Sequence, residues 1–147
     1  MWHVSRECDG IAEAGGLKDV VAGLSAALAA RGVPTAVVLP RYGFVDLQAL
    51  NAEHTGIQFD LMMPKPSGNT EPVEVYRVRR QGVEVYLLDS PCTQSKRAIY
   101  TYTAEDERED PRRRRGTGHR DAHYLNLMLQ RGTLEPVSYT HLRAHET

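Results

Sequence analysis

The chain has 147 residues, the length of one ordinary domain. Lys and Arg number 18 and Asp and Glu 19, so the net charge of −1 gives no support for a nucleic-acid or polyanion partner. A hydrophobic share of 41% can fill a globular core, and no apolar run reaches the ~20 residues that a membrane-spanning helix needs. The N-terminus lacks the basic-then-apolar layout of a signal peptide. Cys8 and Cys92 are too few for a disulfide framework, so they are read as free thiols in a reducing, cytoplasmic setting, each a small buried hydrophobe.

In chain order, Trp2–Ser5 is a short strand candidate, followed by a glycine-bearing loop from Asp9 to Gly16. Leu17–Arg31 reads as a helix. Leu17, Val20, Val21, Leu24 and Leu28 fall at i, i+3, i+4, i+7 and i+11, predicting one apolar stripe against a sheet with Lys18, Ser25 and Arg31 outside it. Gly32 stands where a C-terminal cap is expected. Val37-Val38-Leu39, between prolines and just after a helix, suits a buried parallel strand joined by a right-handed crossover.

Arg41–Met63 carries weak signals, and Pro64–Pro72 reads as a loop. Val73–Val78 and Val83–Leu88 alternate around Arg79-Arg80-Gln81-Gly82, which predicts a hairpin. Glu105–Asp110 and Arg112–Arg115 form opposed charge runs, read as a solvated loop whose halves attract. Asp121–Gln130 is a second helix candidate, with Leu125, Leu127, Met128 and Leu129 apolar.

The strongest functional signal is Glu13-Ala14-Gly15-Gly16-Leu17-Lys18-Asp19-Val20, between a strand and a helix. Glycines at a helix start let a ligand approach the backbone, and the first-turn N–H groups favour an anion there. The alternative is that Gly15-Gly16 only turns a tight corner. The stretch matches neither a dinucleotide fingerprint nor a P-loop. His119 and His123, at i and i+4, are spaced for one helix face, but Arg120 stands where a zinc protease needs Glu. A polar helix start with Asp121 in the first turn is the better reading, with no metal.

Val4–Glu7, Ala12–Val21, Leu24, Leu28–Gly32 and Val37–Gly43 together resemble the N-terminus of bacterial glycogen and starch synthases. That family opens with a strand ending in Glu, a Lys-x-Gly-Gly-Leu loop, an Asp-Val helix, a Gly cap and a strand ending in Pro-x-Tyr-Gly. Val83–Pro91 with Ile99-Tyr100 is similar to its next strand and following tyrosine. Gly116–Gln130 is similar to the helix before its central segment.

The resemblance implies an α/β fold, the Rossmann-like N-terminal domain of a two-domain GT-B glycosyltransferase, here truncated. It implies transfer of glucose from ADP-glucose to the non-reducing end of an α-1,4-glucan, with retention and without a metal or other cofactor. Nucleic acid and membrane are not expected partners. Gly15 and Gly16 match glycines that lie against the donor, and Tyr100 matches a tyrosine near the cleft. The family's donor-contacting Lys falls on Glu13, a reversal of charge that Lys18 can offset. Other GT-B enzymes, of sucrose or trehalose type, and a non-catalytic glucan- or nucleotide-binding module are the alternatives.

Pro136–Thr147 departs from the family pattern and lacks periodicity. One back-translation of Val137–Thr147 resembles a transposase-type sequencing-library adapter. Residues 1–136 are therefore expected to carry the family domain and residues 137–147 to be translated adapter, set aside like an engineered scar. Alone, the chain is expected to lack synthase activity and to be marginally stable and prone to aggregate.

Overall fold

A computed structural model describes residues 1–64 and 70–145. Its elements run β1 (Trp2–Val4), α1 (Leu17–Ala30), β2 (Ala36–Pro40), β3 (Glu53–Met62), β4 (Thr70–Arg80), β5 (Val83–Asp89), α2 (Pro91–Gln94), α3 (Ala104–Glu109) and α4 (Ala122–His145). The strands form one sheet in the order β1-β2-β5-β4-β3. β1, β2 and β5 are parallel, and β4 and β3 continue the sheet antiparallel.

The β1-α1-β2 unit forms where expected, and its helix stop is local chemistry. Gly32 adopts φ 82°, its N–H reaches the Ala29 carbonyl at 3.0 Å and the Val33 N–H reaches that of Leu28 at 3.0 Å. This pairing satisfies the last carbonyls of the helix. The hairpin also forms. Gln81 and Gly82 both take positive φ, 50° and 75°, the two-residue turn whose twist matches the strands it joins.

Side chains on β5 alternate between two covered faces. Val83 and Val85, with Val37 of β2, face Ala22, Ser25 and Ala26 of α1. Leu88 meets α4 at Gly132, where an added Cβ would lie 3.0 Å from Leu88 Cδ1. Tyr86 stacks on Trp2 at 5.5 Å on that same face. The sheet is thus sandwiched between α1 and α4. β2, paired on both sides by parallel strands, is buried at every position, as a parallel strand covered on both faces must be.

The helix stripe is corrected by this packing. Leu17, Val20 and Leu24 are exposed, whereas Val21 and Ser25 are the buried residues of α1. The approach is close, and small residues at 22, 25, 26 and 29 permit it. Ser25 is 1% exposed, and its Oγ has no partner among the described residues. Ser25→Ala removes that unpaired hydroxyl and raises helix propensity, so it is expected to stabilise the chain by about 1 kcal/mol. A lowered urea midpoint would contradict this.

Three further expectations change. The loop expected over Pro64–Pro72 is strand from Thr70, and its residues 65–69 lie outside those described. Pro72 is tolerated because it pairs only with Asp60 of β3, while β5 begins its pairing with β4 at Glu74. The acidic run is a helix, not a loop. Thr103 caps α3 by accepting from Asp106 N–H, and the Asp106 carboxylate accepts from Thr103 N–H at 2.8 Å. Its charges are matched mainly by Arg97, 2.8 Å from Asp106 and 2.6 Å from Glu109, and the expected attraction between halves is seen in Arg112 and Arg113 on Asp110 and in the Arg115 N–H given to Glu107 at 2.8 Å. Finally, α4 starts at Ala122 and continues through Pro136 to His145, well beyond Gln130.

Candidate functional site

The three parallel strands end on one edge of the sheet, where an open α/β sheet offers its crevice. Ser5-Arg6-Glu7 leaves β1 there, Arg41-Tyr42-Gly43 leaves β2, and Ser90 leaves β5. Glu7 is the centre of this edge. Its side chain is almost wholly buried at 2% residue exposure. Oε1 accepts from the N–H groups of Ala14 at 2.9 Å and Gly15 at 2.6 Å. Oε2 accepts from the Tyr100 hydroxyl at 2.6 Å. Burial by itself would raise its pKa, but these hydrogen bonds, with Lys18 nearby, hold Glu7 below the usual carboxylate value.

The surroundings lock this arrangement. Burial and then the Glu7 carboxylate push the Tyr100 hydroxyl up to about 12, so it stays a donor. The Arg6 guanidinium lies 4.7 Å over the Tyr100 ring and donates to the Ile99 carbonyl at 2.5 Å. Fully buried Tyr42 donates to the Arg6 carbonyl at 2.9 Å.

Gly15 and Gly16 rest on this support at the start of α1. Neither has positive φ, and Gly16, at φ −75°, caps the helix with ordinary αR geometry. A Cβ on Gly16 would meet nothing within 4 Å, and one on Gly15 only Glu7 Oε1 at 4.0 Å. The fold would accept side chains at both positions. What glycine provides is bare, exposed backbone at a helix start, whose first N–H groups have no intrahelical acceptor.

The other expected site residues turn elsewhere. Glu13 folds back to accept from Gly10 N–H at 2.8 Å. Lys18 lies 2.9 Å from Asp19 and 3.6 Å from Asp9. The structure therefore joins Gly15 and Tyr100 through Glu7, which sequence reasoning had not named as a site residue. The available signal was its place just past a parallel strand.

The two histidines do not share a helix face. His119 precedes α4 and is buried, and His123 is exposed in its first turn. Asp121 stands just before α4, with its carboxylate 2.6 and 2.8 Å from Lys96 Nζ. Of the thiols, Cys8 is buried as expected. Cys92 is half-buried, lies 3.1 Å from Ser90 Oγ, and is pushed up to about 12 by burial.

Comparison with known proteins gives a consistent answer. The family model described as the starch synthase catalytic domain matches residues 1–129. The glycogen synthase of Halalkalibacterium halodurans is 28% identical over 106 residues, covering 72% of this chain and 22% of that protein. That of Exiguobacterium sibiricum is 33% identical over 91 residues, covering 61% and 18%. The chain thus spans about a fifth of the length of these relatives. The catalytic domain of starch synthase IV from Arabidopsis thaliana, solved with ADP and acarbose, superposes with a TM-score of 0.58 at 22% identity, over 89% of this chain and 25% of that one.

Proposed function

This chain belongs to the starch synthase catalytic domain family, and on that premise we propose that it forms the donor-facing part of a retaining glucosyltransferase acting on ADP-glucose and an α-1,4-glucan. The observation that carries this reading is the uncovered backbone at Gly15-Gly16, which the fold itself does not require. A diphosphate needs oriented N–H donors and close approach, and a helix start without side chains offers both. As the glucosyl bond breaks, charge grows on the leaving diphosphate, and donors already held in place stabilise it without reorganising.

The residues divide this work. Gly15 contributes space, because its N–H is already given to Glu7. The N–H groups of Gly16, Leu17 and Lys18 face the phosphates and set the field there, while the Lys18 ammonium is shared with Asp19 and Asp9. Glu13 shapes the loop through Gly10 and offsets part of that field. Tyr100 borders the cleft and ties it to Glu7. Residues 1–136 carry this part of the domain and residues 137–147 are translated adapter. The family match ends at residue 129, seven residues before the proposed junction.

The test is titration of the chain with ADP-glucose, followed by backbone amide NMR. The amides of Gly16, Leu17 and Lys18 are expected to shift. Gly16→Val should weaken binding at least tenfold, about 1.4 kcal/mol, with an unchanged thermal midpoint. Equal affinity in the variant would remove the reading. The chain alone is expected to incorporate no labelled glucose from ADP-glucose into glycogen, and incorporation would show that it carries a complete active site.

A further inference from the structure

Arg6 leaves β1 between Ser5 and Glu7, on the edge of the sheet that carries the glycine loop. Its side chain is half-buried. Nη2 donates to the Ile99 carbonyl at 2.5 Å, and the guanidinium lies 4.7 Å over the Tyr100 ring. Nε is buried and makes no hydrogen bond among the described residues. No carboxylate among the described residues pairs with this guanidinium. Glu7, its neighbour in the chain, has both oxygens filled by Ala14, Gly15 and Tyr100.

An unpaired cation in this position is costly. A charge drawn out of water loses hydration, and an opposite charge is what compensates it. Other partly buried cations of the chain follow that rule. Lys96 is held by Asp121, Arg97 by Asp106 and Glu109, and Arg41 faces Asp89 at 3.6 Å. Arg6 departs from it, and does so against Tyr100, which is tied through Glu7 to the bare backbone of Gly15.

The charge around the glycine loop gives this departure a use. Glu7, Asp9, Glu13 and Asp19 all stand in or beside the loop, and the Lys18 ammonium is shared between Asp9 and Asp19. A diphosphate that approaches Gly16 carries more than one negative charge. The N–H groups of a helix start offer it partial charges, against a loop rich in carboxylates. What the edge needs is a full positive charge that no carboxylate has taken. The field of such a charge reaches several ångströms through a partly desolvated cleft, so Arg6 can act while it keeps its bond to Ile99.

We propose that Arg6 determines specificity for a diphosphate-bearing donor, its unpaired guanidinium supplying the positive charge that draws the diphosphate to the Gly15-Gly16 backbone. The identity of the donor rests on the glucosyltransferase reading, and the unpaired cation rests on the structure alone. The competing role is mechanical, with Arg6 only tying Ile99-Tyr100 to β1. The two roles differ in what a change of charge does.

Titrations of the whole chain with ADP-glucose and with inorganic pyrophosphate test this, followed by NMR at the Gly16 amide and at the Arg6 Nε–H group. Both signals are expected to move with either ligand. Arg6→Gln, which keeps an N–H donor and removes the charge, should weaken both ligands about tenfold and flatten the dependence of affinity on salt. Arg6→Lys should keep that salt dependence and recover most of the affinity. Wild-type affinity in Arg6→Gln overturns the proposal. So does a loss that leaves the salt dependence unchanged, which is the mark of the mechanical role. An unmoved Arg6 signal in the wild-type chain overturns it whether or not the variants fold, and a Gly16 response alongside leaves the donor reading standing. Silence at Gly16 removes the donor reading and this assignment together.

Discussion

Gly43→Ala is expected to destabilise the chain by about 3 kcal/mol, read as a fall in the urea midpoint at constant slope. A Cβ at residue 43 would lie 2.3 Å from the Gln94 carbonyl oxygen and 3.1 Å from that of Lys96. Both obstacles are backbone, so neither can swing aside as a side-chain tip would. The Gly43 N–H also donates to the Lys96 carbonyl at 3.1 Å, and moving the loop breaks that bond. The loss is large against the 5–15 kcal/mol of net stability typical of a domain. A wild-type midpoint would mean that the loops after β2 and β5 are not locked together. Gly43 and Gly16 therefore make opposite predictions. A side chain at 43 meets the protein, and one at 16 meets only a ligand.

Glu7→Ala is expected to destabilise by a similar amount, about 3 kcal/mol, because it removes the shared acceptor of three hydrogen bonds. Glu7→Gln should cost less, since an amide still offers one oxygen to the Ala14 and Gly15 N–H groups. The effect has a defined pH dependence. The folded pKa of Glu7 is held below its ordinary 4.5, so its contribution is complete above that value and is lost as pH falls through the folded value. The gap between wild-type and Glu7→Ala thermal midpoints should therefore be widest near pH 6 and shrink below pH 4. A constant gap would mean that the side chain's volume matters and its charge does not. Near pH 6, Glu7→Ala should also weaken ADP-glucose binding, since the glycine loop loses its support.

The elements read correctly from the chain are those whose signals are local. The cap at Gly32, the Gln81-Gly82 turn and the apolar run of β2 each depend on a few neighbouring residues. The elements misread depend on distant ones. Glu105–Asp110 forms a helix because Thr103 caps it and Arg97, outside the run, neutralises it. The face of α1 was misassigned because its periodicity admits more than one buried stripe. The choice falls to the small residues that let the helix approach β2 and β5 closely.

The candidate site divides in the same way. Gly15-Gly16 was legible because glycine beside a helix start is a statement about the backbone at those two positions. Glu7 was not, because its meaning comes from Tyr100, 93 residues away. His119 was read as half of a helical pair, and the start of α4 at Ala122 removes it from that pair and leaves it buried against Tyr102. By itself the sequence determined the family, the βαβ entry, the hairpin and the bare glycine loop, all set by short-range conformational preference. The tertiary structure decided which carboxylate supports that loop, which helix face is buried and which of the two histidines is buried. Those choices rest on burial and on hydrogen bonds between distant residues, which leave no periodic trace along the chain.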